Sequence, residues 1–255
     1  MRIHKSYPGA RTALLLVAFL LISPWFASAQ DPDALRSEMV GWARLKTPSD
    51  YWRRHADGDP TLMQFLRDNT TLNLDPTWHV ADVESLQQMC AYPMLFSQGI
   101  HMLNTATSKA NLAEYMRRGG FLLIDSCINT NVTPDPDEFM RTEVEMLAEI
   151  LPEAKVVPLS TDHDVYHIFF QMPDDERPPH MFMANVYNPD WAKFGLYGVM
   201  IGNRMTGIIS LSGLQCGWSR MIEPEGYDIE CMKMLVNIYI WAMMQGADTA
   251  PTAAK

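Results

Sequence analysis

Apolar and polar positions along the chain fall into segments of two periods, and the segments alternate. Residues 40–45 read as a first strand. Residues 60–68 read as a short helix, with Leu62, Phe65 and Leu66 recurring on one face. Residues 78–83 alternate like a strand, and 93–96 form a short apolar run ended by Gly99. Thr107 or Ser108 can cap a helix whose inner face holds Leu112, Tyr115 and Met116. Gly119-Gly120 ends it, because glycine accepts the left-handed cap geometry. Residues 121–124 then form a fully apolar run bounded by Asp125, the pattern of a central parallel strand buried on both faces. Pro134 and Pro136, with Asp135, Asp137 and Glu138, open a helix that runs to Leu151 and stops at Pro152.

Further strands are read over 155–159, 181–187, 196–201 and 204–211, with a loop around Asn188-Pro189-Asp190. Residues 227–245 read as a long helix. Its stretch 234–244 is apolar almost all round, so the helix is expected to be buried, and eleven residues are too few to span a bilayer. Strands and helices in alternation predict an α/β sandwich around a mostly parallel sheet. Ligands of such sheets sit beyond the carboxyl ends of the strands. That rule selects the loops after Ile124, Leu159 and Leu211, expected to converge at one sheet edge.

The first segment changes the setting. Arg2, Lys5 and Arg11 precede an uncharged run from Thr12 to Ser23, then Pro24, then Ala27-Ser28-Ala29. A basic start, a short apolar core and small residues at the cleavage point are the pattern of a secretory signal peptide. The expected organisation is a signal peptide over 1–29, cleaved between Ala29 and Gln30, and an N-terminal extension over 30–39. A single domain over 40–246 and a flexible tail over 247–255 follow. The expected location is the periplasm or cell envelope, with no stable membrane span after cleavage.

About 225 residues would remain, enough for one domain with a sizeable core. Cleavage leaves seventeen basic residues against thirty acidic ones, a net charge near −13. Such a surface repels phosphate backbones and anionic lipid, which argues against nucleic-acid partners. The four cysteines, Cys90, Cys127, Cys216 and Cys231, match no zinc or redox spacing. In an oxidising compartment a disulfide from Cys127 to Cys216 is expected instead, both being placed at the same sheet edge. Cys231, inside the last helix, reads as a buried thiol. The nineteen methionines need no role beyond filling an irregular core.

The candidate chemistry lies in the three loops. They carry Asp125, Ser126 and Cys127; Asp162, His163 and His167; and the stretch from Ser212 to Trp218. His163 and His167 are four apart, and with Asp162 or Asp125 could hold a divalent metal such as zinc. Glu143 falls on the apolar stripe of Phe139, Met146, Leu147 and Ile150, so it needs a partner, for which Arg204 or the histidine loop is available. Cys127 lacks the glycine neighbours of a nucleophile elbow, and no His-x-Glu pair follows near the carboxyl end.

Several segments, taken in order, resemble one family. They are Arg44-Leu45-Lys46 with Trp52, Tyr92-Pro93-Met94-Leu95-Phe96 with Gly99, and Gly119 to Asp125. Asp162-His163 with Tyr166-His167, and Trp218 with Asn237 and Tyr239, complete the set. The chain resembles the proteins grouped as domain of unknown function 4159, related in fold to class I glutamine amidotransferases. The resemblance implies a three-layer flavodoxin-like sandwich and an exported or envelope location, and no established activity. Many relatives carry a second acid where this chain has Ser126, which weakens a two-carboxylate mechanism here. The amidotransferase cysteine is not matched, so the chain is not expected to be a functional glutamine amidotransferase.

The leading expectation is a non-catalytic domain that binds a small molecule or an envelope protein, with no cofactor. Its candidate binding residues are Asp125, Ser126, Asp162, His163, His167, Glu143, Arg204 and Trp218. The alternative is a metal-assisted hydrolase using Asp125, Asp162, His163 and His167.

Overall fold

The computed structural model describes residues 39–125, 136–172, 195–219 and 227–245. The described strands are β1 (Val40–Lys46), β2 (Leu74–Asp82), β3 (Met94–Ser97), β4 (Phe121–Asp125), β5 (Ala154–Pro158), β6 (Leu196–Ile201) and β7 (Arg204–Ser210). The described helices are α1 (Asp59–Asn69), α2 (Leu86–Met89), α3 (Ala106–Arg117), α4 (Pro136–Ile150), α5 (Leu214–Trp218) and α6 (Tyr227–Gln245). The strands form one seven-stranded sheet in the order β2-β1-β3-β4-β7-β6-β5. The five strands from β2 to β7 run parallel, β6 returns antiparallel beside β7, and β5 pairs antiparallel with β6. The molecule is thus an α/β sandwich on a mostly parallel sheet, as the alternation of periods predicts.

Side chains alternate across the sheet and feed two cores. Trp42, Met94, Phe96, Phe121, Leu123 and Ile208 pack on one face with residues of α1, α5 and α6. Ala43, Leu45, Leu95, Leu122, Ile124 and Ile209 pack on the other with α2, α3 and α4. Strand β4 is buried at every position, the condition its unbroken apolar run anticipates. Helix α6 is largely buried through Ala242, and no described helix is long and apolar enough to cross a membrane. The edge strands β2 and β5 keep half-exposed patterns. At the β4–β7 junction Gly207 is required, since a Cβ there would lie 2.6 Å from the Leu122 carbonyl oxygen.

Two expectations are corrected. Helix α3 is capped by Thr105, whose side chain accepts from the Ser108 amide, and not by Thr107 or Ser108. The helix therefore begins earlier, with Ser108 inside its first turn. Strand β2 begins at Leu74, paired with Val40, and the register then shifts before Trp42 pairs with Trp78, so Pro76 falls in the irregular stretch ahead of the alternation. The expected strand over 181–187, the loop at Asn188, the first 29 residues and the tail after 246 lie outside the described residues.

Candidate functional site

Strands β1, β3, β4 and β7 deliver their carboxyl ends to one edge, and the polar groups gathered there are linked across long stretches of sequence. Asp125, at the end of β4, is completely buried. Its two oxygens accept from the Leu214 amide at 3.0 Å and the Gln215 amide at 2.9 Å, which fixes the start of α5. Gln215 then donates from Nε2 to the Arg54 carbonyl at 2.6 Å, and its Oε1 accepts from the Gln98 amide. Gln98 also donates to the Arg54 carbonyl, at 3.2 Å, and Arg44 donates to it at 2.9 Å. One backbone oxygen thus draws donors from β1, from the loop after β3 and from α5. It pins the 50–58 segment over the edge. Beside that segment opens a hollow of about 370 Å³ lined by Asp50, Tyr51, Arg53 and Arg54. Arg53 pairs with Asp50 at 2.7 Å, while the Arg54 guanidinium lies 5.7 Å from the Tyr51 ring centre. Among the described residues no acid pairs with Arg54.

Beneath this rim, on the α1 face, Arg44 and Asp59 form a fully buried ion pair. Arg44 Nε and Nη2 each lie 2.6 Å from an Asp59 oxygen, a bidentate geometry. The indole nitrogens of Trp42 and Trp218 donate to the same carboxylate at 3.1 and 3.2 Å. Arg44 spends its remaining donors on the carbonyls of Trp52, Arg54 and His55. The guanidinium also lies 5.1 Å from the Phe96 ring centre. Every charged atom is therefore matched, which burial demands. Trp218 belongs to this packing: its ring meets Trp42 and Phe96 edge-on at 5.9 and 5.3 Å.

On the opposite face Glu143 finds its partner in His101. The Glu143 side chain is 0% exposed, and Oε2 accepts from the Ile100 amide at 2.7 Å. Oε1 accepts from His101 Nδ1 and from its backbone amide. A carboxylate receiving three N–H donors fixes Nδ1 as the protonated ring nitrogen and leaves Nε2 free of that bond. The His101 side chain is 38% exposed. Its hydrogen bond to Glu143 raises its pKa, against the opposing effect of burial. Gly99 makes the approach possible. Its φ is +140°, and a Cβ there would sit 2.9 Å from Glu143 Oε1 and 3.1 Å from the His101 ring. Neither Arg204 nor the histidine loop is the partner that sequence reasoning offered Glu143.

The other expected site residues disperse. Arg204 opens β7 at the far edge, where Nη2 donates to the Met116 carbonyl at 2.7 Å and the Arg117 carbonyl at 3.3 Å, closing the end of α3. The loop after β5 folds into a turn, Asp164–Tyr166, that lies against α6. There the His163 ring meets Trp241 at 4.9 Å, and Nδ1 accepts from the Val165 amide at 3.2 Å. Burial lowers the His163 pKa. His167 Nδ1 lies 2.8 Å from the Gln171 amide nitrogen, and Asp162 is exposed. Asn237 anchors the segment by exchanging two 2.8 Å hydrogen bonds with the Phe170 backbone. Among the described residues no three His, Cys, Asp or Glu side chains are placed to hold a metal ion. Asp125, Asp162, His163 and His167 therefore do not share a centre. Ser126 and Cys127 lie outside the described residues, so the expected Cys127–Cys216 disulfide does too.

Sequence reasoning missed Asp59, Gln98 and His101, noted Arg44 only within the family resemblance, and reached Gln215 only as part of the loop 212–218. A charge inside the apolar run 40–45 is the signal for Arg44, and it demands a buried partner. His101 offers a weaker one, following Gly99 directly after a strand.

The model of one protein family, described as Domain of unknown function (DUF4159), matches residues 42–243. No curated protein matches the chain.

Proposed function

This chain belongs to the DUF4159 family, and we propose that it is an exported, non-catalytic α/β domain that binds a small molecule at the carboxyl edge of its sheet. The observation that carries the reading is the economy of the edge. Its carboxylates are spent internally: Asp125 on α5, Asp59 on Arg44, and Glu143 on His101. Beside them lies the hollow lined by Asp50, Tyr51, Arg53 and Arg54, where no acid among the described residues pairs with the Arg54 guanidinium. A rim held rigid by one shared carbonyl is preorganised for binding, which lowers the cost of ordering it around a ligand.

The test is a thermal-shift screen of residues 30–255 against small organic acids, amides and sugars. A ligand that raises the melting temperature, and loses its effect in Arg54→Ala or Gln98→Ala, supports the reading. Turnover of acyl or phosphate esters that requires a divalent cation and is lost in His163→Ala would replace it with the hydrolase alternative. Export has its own test. Protein recovered from the periplasm of an expression host should begin at Gln30 by mass spectrometry, and an intact Met1 would refute cleavage. Thiol counting in unfolded, unreduced protein addresses the disulfide: reaction of all four cysteines would eliminate it.

A further inference from the structure

The pair of Glu143 and His101 has more built into it than the neutralisation of a buried acid requires. Glu143 is reached by two backbone amides as well as the imidazole, so the ring is held in one orientation by its backbone and its Nδ1 together. Phe139 closes the ring from the side, with centroids 6.1 Å apart and planes nearly perpendicular. Gly99 keeps a left-handed φ that leaves the contact clear. The loop 98–101 that carries His101 also carries Gln98, which is tied to the Arg54 carbonyl. The imidazole is thus a rigidly aimed group in the loop that follows β3, at the carboxyl edge, though outside the lining of the hollow at 50–54.

We propose that His101 is the donor through which this rim takes the oxyanion of a small organic acid, a carboxylate or a phosphate, with Nε2–H making the contact. The proposal rests on the reading of the carboxyl edge as a binding site and names its ligand class. Glu143 holds Nδ1, so only Nε2 remains to meet a ligand. In the protonated ring Nε2 is a donor, and an acceptor-only group is its complement. The raised pKa enlarges the protonated population near neutrality. The chain is acidic, with a net charge of −10 over the full sequence. An acidic surface repels anions at long range, so capture depends on donors acting within about one screening length of 8 Å. A compact acid held by aimed hydrogen bonds meets that condition, and an extended polyanion does not.

The experiment follows the imidazole proton and nitrogen resonances of His101 in the full chain, assigned by comparison with His101→Phe. The probes are inorganic phosphate and acetate. A saturable shift of the His101 signals with either anion supports the proposal, and the anion that acts identifies which acid group the site prefers. His101→Phe should weaken that anion at least about tenfold, the loss of one charge-assisted hydrogen bond. Glu143→Gln guards against a folding defect in the first variant. It retains a hydrogen-bonding side chain beneath the ring but removes its charge, so anion binding should move to lower pH. Indifference of the His101 signals to both anions overturns the proposal. If some other small molecule binds in the thermal-shift screen through Arg54 and Gln98 while His101 stays unmoved, this inference falls and the binding reading stands. If no small molecule binds at all, both fall.

Discussion

Arg44 and Asp59 lie fifteen positions apart and meet with no water-exposed atom on either side chain. A buried pair is weak evidence of net stabilisation, but removing one member leaves an uncompensated charge, which costs about 3–5 kcal/mol. Asp59→Ala is therefore expected to lose stability by that amount in urea denaturation, with Trp42 and Trp218 also losing their acceptor. A loss under about 1 kcal/mol would mean that the carbonyls around Arg44 suffice to hold its charge. The two perturbed histidines should act on stability with opposite signs. His101 has a folded pKa above its ordinary 6.5, so its contribution is complete below that value and is lost as pH rises through the folded pKa. His163 has a folded pKa below 6.5, so its contribution is complete above that value and is lost as pH falls through the folded pKa. Urea midpoints measured between about pH 5 and 8 should show this. His101→Gln should flatten the decline on the alkaline side, and His163→Gln the decline on the acid side. Identical slopes in both variants and the parent would contradict the assignment.

Thr105 illustrates how far local pattern reaches. Three hydroxyl residues stand within four positions, Thr105, Thr107 and Ser108, and any of them can cap a helix. What selects Thr105 is the three-residue spacing to the Ser108 amide, at 2.9 Å, together with its extended backbone. Thr105→Ala should cost about 1 kcal/mol by thermal or chemical denaturation, whereas Thr107→Ala should cost little. The strands and helices themselves were legible because their periods differ and because glycine and proline mark their ends. The reversal of β6 was not, since a buried apolar run carries no mark of its direction. The turn after β5 was misplaced for a related reason. Its histidines suggested chemistry, yet Val165 and Tyr166 beside them are fully buried and draw the segment onto α6.

The carboxyl edge was located by topology alone, because parallel strands must end together, but its chemistry was hardly readable. Its centre is a backbone carbonyl, that of Arg54, and a backbone atom leaves no residue signature. Asp125 and Trp218, expected as ligand-binding residues, are buried here and hydrogen-bond to the α5 amides and to Asp59 respectively. The same connections tie distant segments together at the edge. Asp125, Gln98, Gln215 and Arg44 join the segments around 44–59, 94–101, 121–125 and 210–219, which lie far apart in the chain. Gln215→Ala removes two of these links, the bond to the Arg54 carbonyl and the one from Gln98. Arg44 and Gln98 still reach that carbonyl, so the cost should be about 1–2 kcal/mol and not a collapse. Tryptophan fluorescence sums over the seven tryptophans, of which Trp42 and Trp218 pack beneath the edge, whereas far-ultraviolet circular dichroism reports on helices of both faces. In the parent and in Gln215→Ala the two signals should trace one coincident urea transition, displaced to lower urea in the variant. Fluorescence moving ahead of ellipticity in the variant would show that the edge opens as a separate unit. The rim would then be a hinged element that a ligand must order, and the preorganisation that supports binding there would be lost.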